Sequence, residues 1–482
     1  MDPSNAVKKT KIVCTLGPAT DEDVVLRDMI SAGMDIARLN FSHGTYEDHD
    51  MRIEQIKRVR DEFGAPIAIM LDTRGPEIRL KTFENGSVEI TPGQTFTLTT
   101  EDIIGDSTRV SVTYPEILKF IKNGTSIMID DGNVEFYVDK IEGQNIICTV
   151  INGTVLKNNK SINLPGINLP MPYVSQKDLE DIKFGISRDI DFVAASFIRT
   201  ANDVIDIRRV LEWNGGKKVK VIAKIENRQG VDNIDEILNV ADGIMVARGD
   251  MGVEIPFEEL PHIQKLLIRK TFSSGKIVIT ATQMLESMIE NQRPTRAEIT
   301  DIANAVHDGT SAVMLSGETA VGAYPSLAVA TMSRIIRFTE REIDYAKHFD
   351  LPNSLGVKNI SNAISHATCT TALDLQATAI VSVTESGATA RAISKHRPPC
   401  PIVGCATDEK TRRQLNLSWG VTPVFSEKMT NTDDLFKSAV KHAVETGIVK
   451  EGDTIVLTAG VPVGVVGSTN ILKIVVVGDP QS

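Results

Sequence analysis

The sequence predicts an α/β protein: a (β/α)8 barrel interrupted by an inserted all-β lid domain and followed by a C-terminal α/β domain. Three observations predict it. Eight short apolar, β-branched runs recur between residues 11 and 317, most of them separated by segments of helical period. Between the third and fourth runs the pattern changes to short strands punctuated by Gly, Pro and Asn. Beyond about residue 345 a second strand–helix alternation begins.

The eight runs are KIVCTL (11–16), DIARLN (35–40), IAIMLD (67–72), FVAASF (192–197), VIAKIE (221–226), GIMVARG (243–249), IVITATQ (277–283) and AVMLSG (312–317). Helical period is plain in DEDVVLRDMISAG, with Leu26, Met29 and Ile30 on one face, and in VDNIDEILNVADG, with Val231, Ile234, Ile237 and Leu238. Eight strand–helix units suggest a closed parallel barrel, assigned to residues 1–73 and 171–345. Residues 74–170, including SVEITPGQTFTLTT and TSIMIDDGNVEFYVDKIEGQNIICTV, read as antiparallel hairpins of an inserted β-barrel lid. Residues 346–482 carry AIVSVTES, PIVGCATD, TPVFS, DTIVLTAG and ILKIVVVG alternating with helices such as NTDDLFKSAVKHAVETG, the pattern of a doubly wound domain.

With 41% hydrophobic and 24% charged residues, the 482-residue chain is globular rather than disordered. A net charge of −11 argues against a nucleic-acid partner, while leaving room for a small anionic substrate held by a few arginines. Cys14, Cys148, Cys369, Cys400 and Cys405 are scattered without a C-x-x-C pair, against a zinc site or disulfide framework and in keeping with a reducing compartment. The N-terminal MDPSNAVKKTK lacks an apolar signal core, and no apolar run is long enough to cross a bilayer. The expectation is a soluble cytoplasmic protein without a membrane partner.

In a barrel of this kind the chemistry sits at the C-terminal strand ends. Here those ends carry Arg38 and Asn40, Asp72, Ser196, Lys224 with Glu226, Asp250 and Thr282. Singly, each has an ordinary explanation: an Asp after a strand caps a helix, and a Ser or Thr satisfies nearby backbone. Their convergence on one rim favours a site. Lys224 and Glu226 are two apart on a strand and point to the same side. A buried Lys–Glu pair is a poor stabiliser. Glu226 and Asp250 are instead suited to share one Mg2+ (or Mn2+), with Lys224 facing charge that develops beside it. Gly249, in ARGDMG, precedes a turn whose backbone N–H groups suit a carboxylate or phosphate. Asn40 and Ser42, with Asp72 and Thr73, offer a low-charge oxygen cage for a monovalent cation. His43 reads as a hydrogen-bond donor or phosphate contact rather than a base. Arg79 sits where the insert begins and would clamp phosphate as the insert closes.

The motifs VIAKIENRQGV, TLGPAT, ARLNFSHG, LDTRGPEIR, ARGDMGVEIP, ATQMLESM and RPTRAEITDIANAV resemble the conserved blocks of the pyruvate kinase family, in the family's order over nearly the whole chain. The resemblance implies transfer of phosphate from phosphoenolpyruvate to ADP, giving pyruvate and ATP in glycolysis. It implies that Glu226 and Asp250 bind Mg2+ and that Asn40, Ser42, Asp72 and Thr73 bind K+. Lys224 would stabilise the transferring phosphoryl group and the enolate, and Arg38 would contact the phosphoryl group. Gly249, Asp250 and Thr282 would hold the substrate carboxylate, Thr282 would relay a proton, and Ser196 would lie near the substrate. Asn40, His43, Arg79 and Lys177 would approach the nucleotide phosphates. Glu77 stands where the family's K+-dependent members carry glutamate.

The family also implies a homotetramer and a phosphorylated allosteric effector at the turn TESGATARA, through Thr384, Ser386, Gly387 and Thr389. Members of the family that respond to a sugar bisphosphate usually carry a basic residue in a late loop; here the comparable loop GVPVGVVGSTN (460–470) has no Lys or Arg, so the resemblance implies a sugar or nucleotide monophosphate rather than a bisphosphate effector. The extra phosphohistidine-type domain of some bacterial relatives is expected to be absent. The alternatives are another Mg2+-dependent barrel enzyme of pyruvate enolate chemistry and a catalytically silent metabolite sensor.

Overall fold

Strand ends in this chain follow the inward-pointing polar residues closely. The computed structural model describes residues 7–153, 155–345, 359–462 and 469–479. Eight parallel strands close into a barrel: β1 Lys11–Thr15, β2 Ile36–Asn40, β3 Ala68–Asp72, β4 Phe192–Ala195, β5 Lys220–Ile225, β6 Gly243–Ala247, β7 Ile277–Ala281 and β8 Ala312–Leu315. Each pairs with its sequence neighbour, and β1 pairs with β8 to close the ring. Alternation sorts the side chains. Val221, Ala223 and Ile225 of β5 pack outward against the helices, whereas Ile222 joins Ile36, Met70, Phe192, Met245 and Ile279 inside the barrel. The same parity turns Arg38, Asp72, Ser196 and Lys224 inward, above that apolar plug.

The predicted helix at 23–32 forms as Asp23–Ala32, with Leu26 and Met29 buried and Gly33 ending it in the left-handed region (φ 117°). The single helix read across 231–243 is two. Arg228–Asp232 and Ile234–Val240 meet at Asn233, whose side-chain amide donates to the Arg199 carbonyl (2.9 Å). The apolar positions are nevertheless buried as expected. The runs 243–249 and 277–283 stop as strands at Ala247 and Ala281. Arg248–Glu254 is already a helix, and Thr282 and Gln283 take positive φ (66° and 55°).

Between β3 and β4 lies a curled seven-stranded sheet with its own core around Phe96, Phe136 and Ile127. Its edge strands are joined by one bridge, Leu80 to Val112, rather than by a continuous ladder. Thr95–Thr99 and Arg109–Ser111 run parallel, an exception to the expected hairpins. The C-terminal sheet has five strands, four parallel and an antiparallel edge, Thr469–Val476. Helix Thr432–Glu445 packs on one face through Leu435, Phe436 and Ala439. Cys369, Ala390, Ile393 and Leu415 pack on the other face, as doubly wound patterning requires. No helix among the described residues is long and apolar enough to cross a membrane.

The C-terminal domain closes the bottom of the barrel. Leu417, fully buried, belongs to the barrel's inner apolar cluster. Around it Arg413 donates to Asp191 (2.9 Å), Asn416 to the Asp35 carbonyl (2.9 Å) and Lys11 to the Val421 carbonyl (2.7 Å). Truncating a buried leucine leaves a cavity and costs about 2–5 kcal/mol. Leu417→Ala is therefore expected to lower the thermal unfolding midpoint, whereas Leu375→Ala, at a 45% exposed position, leaves it nearly unchanged. Equal shifts would show that the plug carries no special weight.

Candidate active site

At the C-terminal rim, four ionic side chains from three strands and the residue following one of them meet in a nearly dry space. Register puts Asn40 of β2 beside Asp72 of β3, and Asp72 beside Ala194 of β4. Asp72 is buried, and both its oxygens are engaged. Arg38 Nε donates to Oδ2 (2.7 Å), and Lys224 Nζ donates to Oδ1 (3.0 Å). Burial alone would raise its pKa, but Arg38 and then Lys224 outweigh that and hold it below the usual carboxylate range. Arg38 Nη1 also donates to Thr15 Oγ1 (2.9 Å), fixing the guanidinium against β1.

Lys224 is the hub. Its ammonium touches Asp72, donates to Ser196 Oγ (2.7 Å) and comes within 3.0 Å of Glu226 Oε1. Burial would strip its proton, but Asp72 and Glu226 overcome this and push its pKa above the ordinary lysine value. Ser196 Oγ donates in turn to the Thr73 carbonyl (2.6 Å), and the Ser196 N–H donates to Thr73 Oγ1 (3.2 Å).

Glu226 is fully buried. Oε2 accepts from the Phe197 N–H (2.6 Å), at a residue held at φ 55°. Oε1 meets only the Lys224 ammonium (3.0 Å). Burial pushes the Glu226 pKa up to about 8; the Lys224 ammonium opposes this and the Asp250 carboxylate adds to it. A buried carboxylate with excess proton affinity, one oxygen engaged only by an ammonium and a second carboxylate close by is suited to a divalent cation. No cluster of three or more His, Cys, Asp or Glu forms a cage among the described residues. Glu226 and Asp250 are the two carboxylates of this corner, and Mg2+ is commonly held by one or two carboxylates together with substrate oxygens and water.

Asp250 lies in the short helix Arg248–Glu254 that follows β6. Gly249 is inside this helix rather than ahead of a turn, and its N–H already donates to Thr282 Oγ1 (2.8 Å). Thr282 Oγ1 donates to the Ala281 carbonyl (2.6 Å). Arg248 was not singled out from the sequence, yet it braces this corner by donating to the Thr282 and Ala281 carbonyls (2.5 and 3.1 Å) and to Asp301 (2.6 Å). Its place beside Gly249 in ARGDMG was the available signal. Thr15, in TLGPAT, was missed in the same way.

Asn40 Oδ1 accepts from the Ser42 N–H (3.1 Å), and the Phe41 N–H donates to the Asp72 carbonyl (3.0 Å), so the residues of the expected cation cage lie at adjoining strand ends. The Asp72 carboxylate itself faces Arg38 and Lys224. His43 is exposed, and its carbonyl pairs with the His49 ring (2.9 Å). Lys177 holds Asp181 (2.8 Å) and the Tyr46 hydroxyl (3.0 Å). Arg79 is tied to Glu77 (2.5 Å) and the Asn159 carbonyl (2.7 Å) at the root of the insert. Glu77 also meets Arg74 (3.4 Å) and is thus more than a loose surface charge.

In the C-terminal domain, Gly387 takes φ 78° ahead of the helix Ala388–Ser394. Thr384 and Thr389 are buried, with Thr389 Oγ1 on Thr469 Oγ1 (2.6 Å), and the Ser386 carbonyl accepts from Arg391 (2.8 Å). Of the loop 460–470, residues 463–468 lie outside the described residues.

Fold and rim together define a class: a (β/α)8-barrel enzyme with a charge-lined site at the C-terminal mouth and a β insert rooted beside it. Comparison with known proteins narrows it. Residues 7–329 match the family profile "pyruvate kinase, barrel domain", and residues 362–475 match "pyruvate kinase, alpha/beta domain". Over 98% of its length the chain is 48% identical to the pyruvate kinase of Clostridium acetobutylicum, of which it covers 100%. It is 49% identical to that of Staphylococcus saprophyticus, of which it covers 81%. A pyruvate kinase crystal structure from Cryptosporidium parvum superposes with a TM-score of 0.91 at 39% identity, covering 97% of this chain and 96% of that one. The chain belongs to the pyruvate kinase family.

Asp72 is the acceptor common to both inward cations, and removing one member of a buried ionic set costs about 3–5 kcal/mol. Asp72→Asn is expected to lower the thermal unfolding midpoint by several degrees. An unchanged midpoint would mean that Arg38 and Lys224 do not depend on it.

Proposed function

We infer that this chain is an active pyruvate kinase, transferring the phosphoryl group of phosphoenolpyruvate to ADP to form ATP and pyruvate. The observation that carries the reading is the intact set of Arg38, Asp72, Lys224 and Glu226 on one buried rim, in a chain of this family. A silent metabolite sensor would have no use for two cations and two carboxylates held in the dry mouth of the barrel.

Phosphoryl transfer needs positioning and charge neutralisation more than covalent chemistry from the protein. Glu226 and Asp250 would hold Mg2+ or Mn2+, which when bound supplies positive charge beside the reacting phosphate. Arg38, set by Thr15 and Asp72, presents guanidinium N–H groups to the phosphoryl oxygens. As the bond from the enol oxygen to phosphorus breaks and the new bond to the ADP oxygen forms, negative charge grows on the enolate oxygen. The Lys224 ammonium, kept protonated by Asp72 and Glu226, faces that charge. The enolate methylene carbon then takes a proton, and Thr282, through ordered water, is the relay. Ser196 orients Lys224. Gly249 and Thr282 bond each other here, so holding the substrate carboxylate would require exchange of that bond. Arg79, His43, Asn40 and Lys177 serve the nucleotide phosphates. Arg79 leaves Glu77, and Lys177 leaves Asp181, when the insert closes and excludes water.

Asn40, Ser42, Asp72 and Thr73 are proposed to take K+, with Glu77 marking dependence on it. A phosphorylated effector at Thr384, Ser386, Gly387 and Thr389, a homotetrameric assembly and a cytoplasmic location complete the reading. The test is pyruvate formation from phosphoenolpyruvate and ADP with Mg2+, in K+ and in an equimolar non-binding cation. Turnover needing both Mg2+ and K+ is expected, and Glu77→Lys should relax the K+ requirement. Absence of turnover by folded protein would overturn the enzymatic reading, and equal rates in the two salts would overturn the K+ assignment.

A further inference from the structure

The opposite end of the barrel holds a second gathering of charge that the reaction does not use. Where the C-terminal domain meets the N-terminal ends of β7 and β8, Lys276, Arg391, Lys395 and Arg397 line one cleft, with Lys276 donating to the Ala241 carbonyl (2.5 Å) and Arg391 to the Ser386 carbonyl (2.8 Å). The cleft encloses ≈ 20 Å³, and ≈ 310 Å³ when its open mouth is counted. No carboxylate lines it. The acids nearest to it are spoken for: Glu340 accepts from the Lys9 and Thr10 N–H groups, and Asp242 pairs with Arg208 and Lys220.

Arg397 is 7% exposed and held at φ 50°. Its guanidinium carbon lies 4.4 Å from the Trp419 ring centroid and 5.3 Å from that of Phe272. Nη2 donates to the Gly309 carbonyl (2.8 Å) and to Ser311 Oγ (3.4 Å). Nε and Nη1 are buried and donate to nothing, and Ser418 Oγ, on a residue 2% exposed in the same cleft, is also without a partner. Buried donors left unmade are costly, and those of a cation most of all. The arrangement calls for a ligand that accepts hydrogen bonds and carries negative charge.

We propose that this cleft binds a tetrahedral oxyanion, the phosphoryl head of a small phosphomonoester or free phosphate, through an unpartnered N–H of Arg397, Ser418 Oγ and the Lys395 ammonium. Nε–H and the unpartnered Nη1–H groups lie on opposite edges of the planar guanidinium, so the anion meets one of these edges through a single charge-assisted hydrogen bond. The enclosed space is that of a water molecule or slightly more, so the Lys395 stem must shift toward the mouth with its ammonium kept on the anion, and only the head enters while the rest projects outward. Lys395 reaches across the domain boundary, its stem so close to Gly275 that a Cβ there would fall 2.9 Å from Lys395 Cδ. The lining comes from both the barrel and the C-terminal domain, so the anion would bind the two together. Arg391 lines the cleft and also donates to the Ser386 carbonyl (2.8 Å), so the cleft adjoins the turn at Thr384–Thr389, and a variant at that turn is needed to separate the two.

The test is the thermal unfolding midpoint of the full chain, titrated with inorganic phosphate or glycerol 3-phosphate against chloride at constant ionic strength. A saturable rise is expected. Its half-saturation point should move up about tenfold or more in Lys395→Ala and in Ser418→Ala, each of which removes one charge-assisted contact, and should stay put in Ser386→Ala at the turn. Lys395 is only half-buried, so its variant reports even where changes at Ser418 disturb packing. Tighter glycerol 3-phosphate identifies a phosphomonoester as the source, and equal half-saturation identifies phosphate itself. No rise beyond chloride, or a rise unchanged in both cleft variants, would overturn the proposal and leave the orphaned donors to water.

Discussion

Charge balance in the mouth of the barrel is the constraint on which the rest of the site depends. Strand parity turns Arg38, Asp72 and Lys224 toward the axis just above a layer of Ile36, Met70, Phe192, Ile222 and Met245. Once the layer below is apolar, charges there can persist only as a mutually neutralising set. Asp72 satisfies both cations at once. Glu226 then remains with an oxygen met only by the Lys224 ammonium and with a raised proton affinity. The site is therefore complete in its cations and incomplete around its carboxylates, an asymmetry that a divalent metal would resolve.

Much of this is legible in the sequence because it depends on period. Spacing by two put Lys224 and Glu226 on one side of a strand, and the apolar runs placed the strands to within a residue or two. Spatial partnerships were less accessible. That Asp72 serves Arg38 and Lys224, rather than standing simply in an oxygen cage, depends on the β2–β3–β4–β5 register, which no local pattern encodes. The bond between the Gly249 N–H and Thr282 Oγ1 arises because Arg248 opens a helix directly and Thr282 adopts positive φ. Both are tertiary overrides of what ARGDMG and ATQ suggest alone. The break at Asn233 likewise follows from a long-range bond to Arg199.

The two ends of the barrel answer different needs. At the top, Arg79 at the root of the insert and Lys177 in the helix Gln176–Ser187 rest on nearby carboxylates. At the bottom, Leu417 and the Arg413–Asp191 pair weld the C-terminal domain to the barrel. β7 spans both ends: Ile277 borders the basic cleft, and Thr282 follows its last residue at the reacting rim. A ligand in the cleft would thus touch the root of a strand whose tip borders the candidate active site.

The central claim is a division of labour on β5, with Lys224 meeting the charge of the reaction while Glu226 holds the metal. The most direct measurement takes Lys224→Met and follows pyruvate formation and Mn2+ binding by electron paramagnetic resonance on the same preparation. The account expects turnover to fall by about a thousandfold or more, the scale of a lost electrostatic contact at a transition state, while Mn2+ still binds. Turnover close to wild type would contradict it, and would make the lysine a structural counter-ion of Asp72.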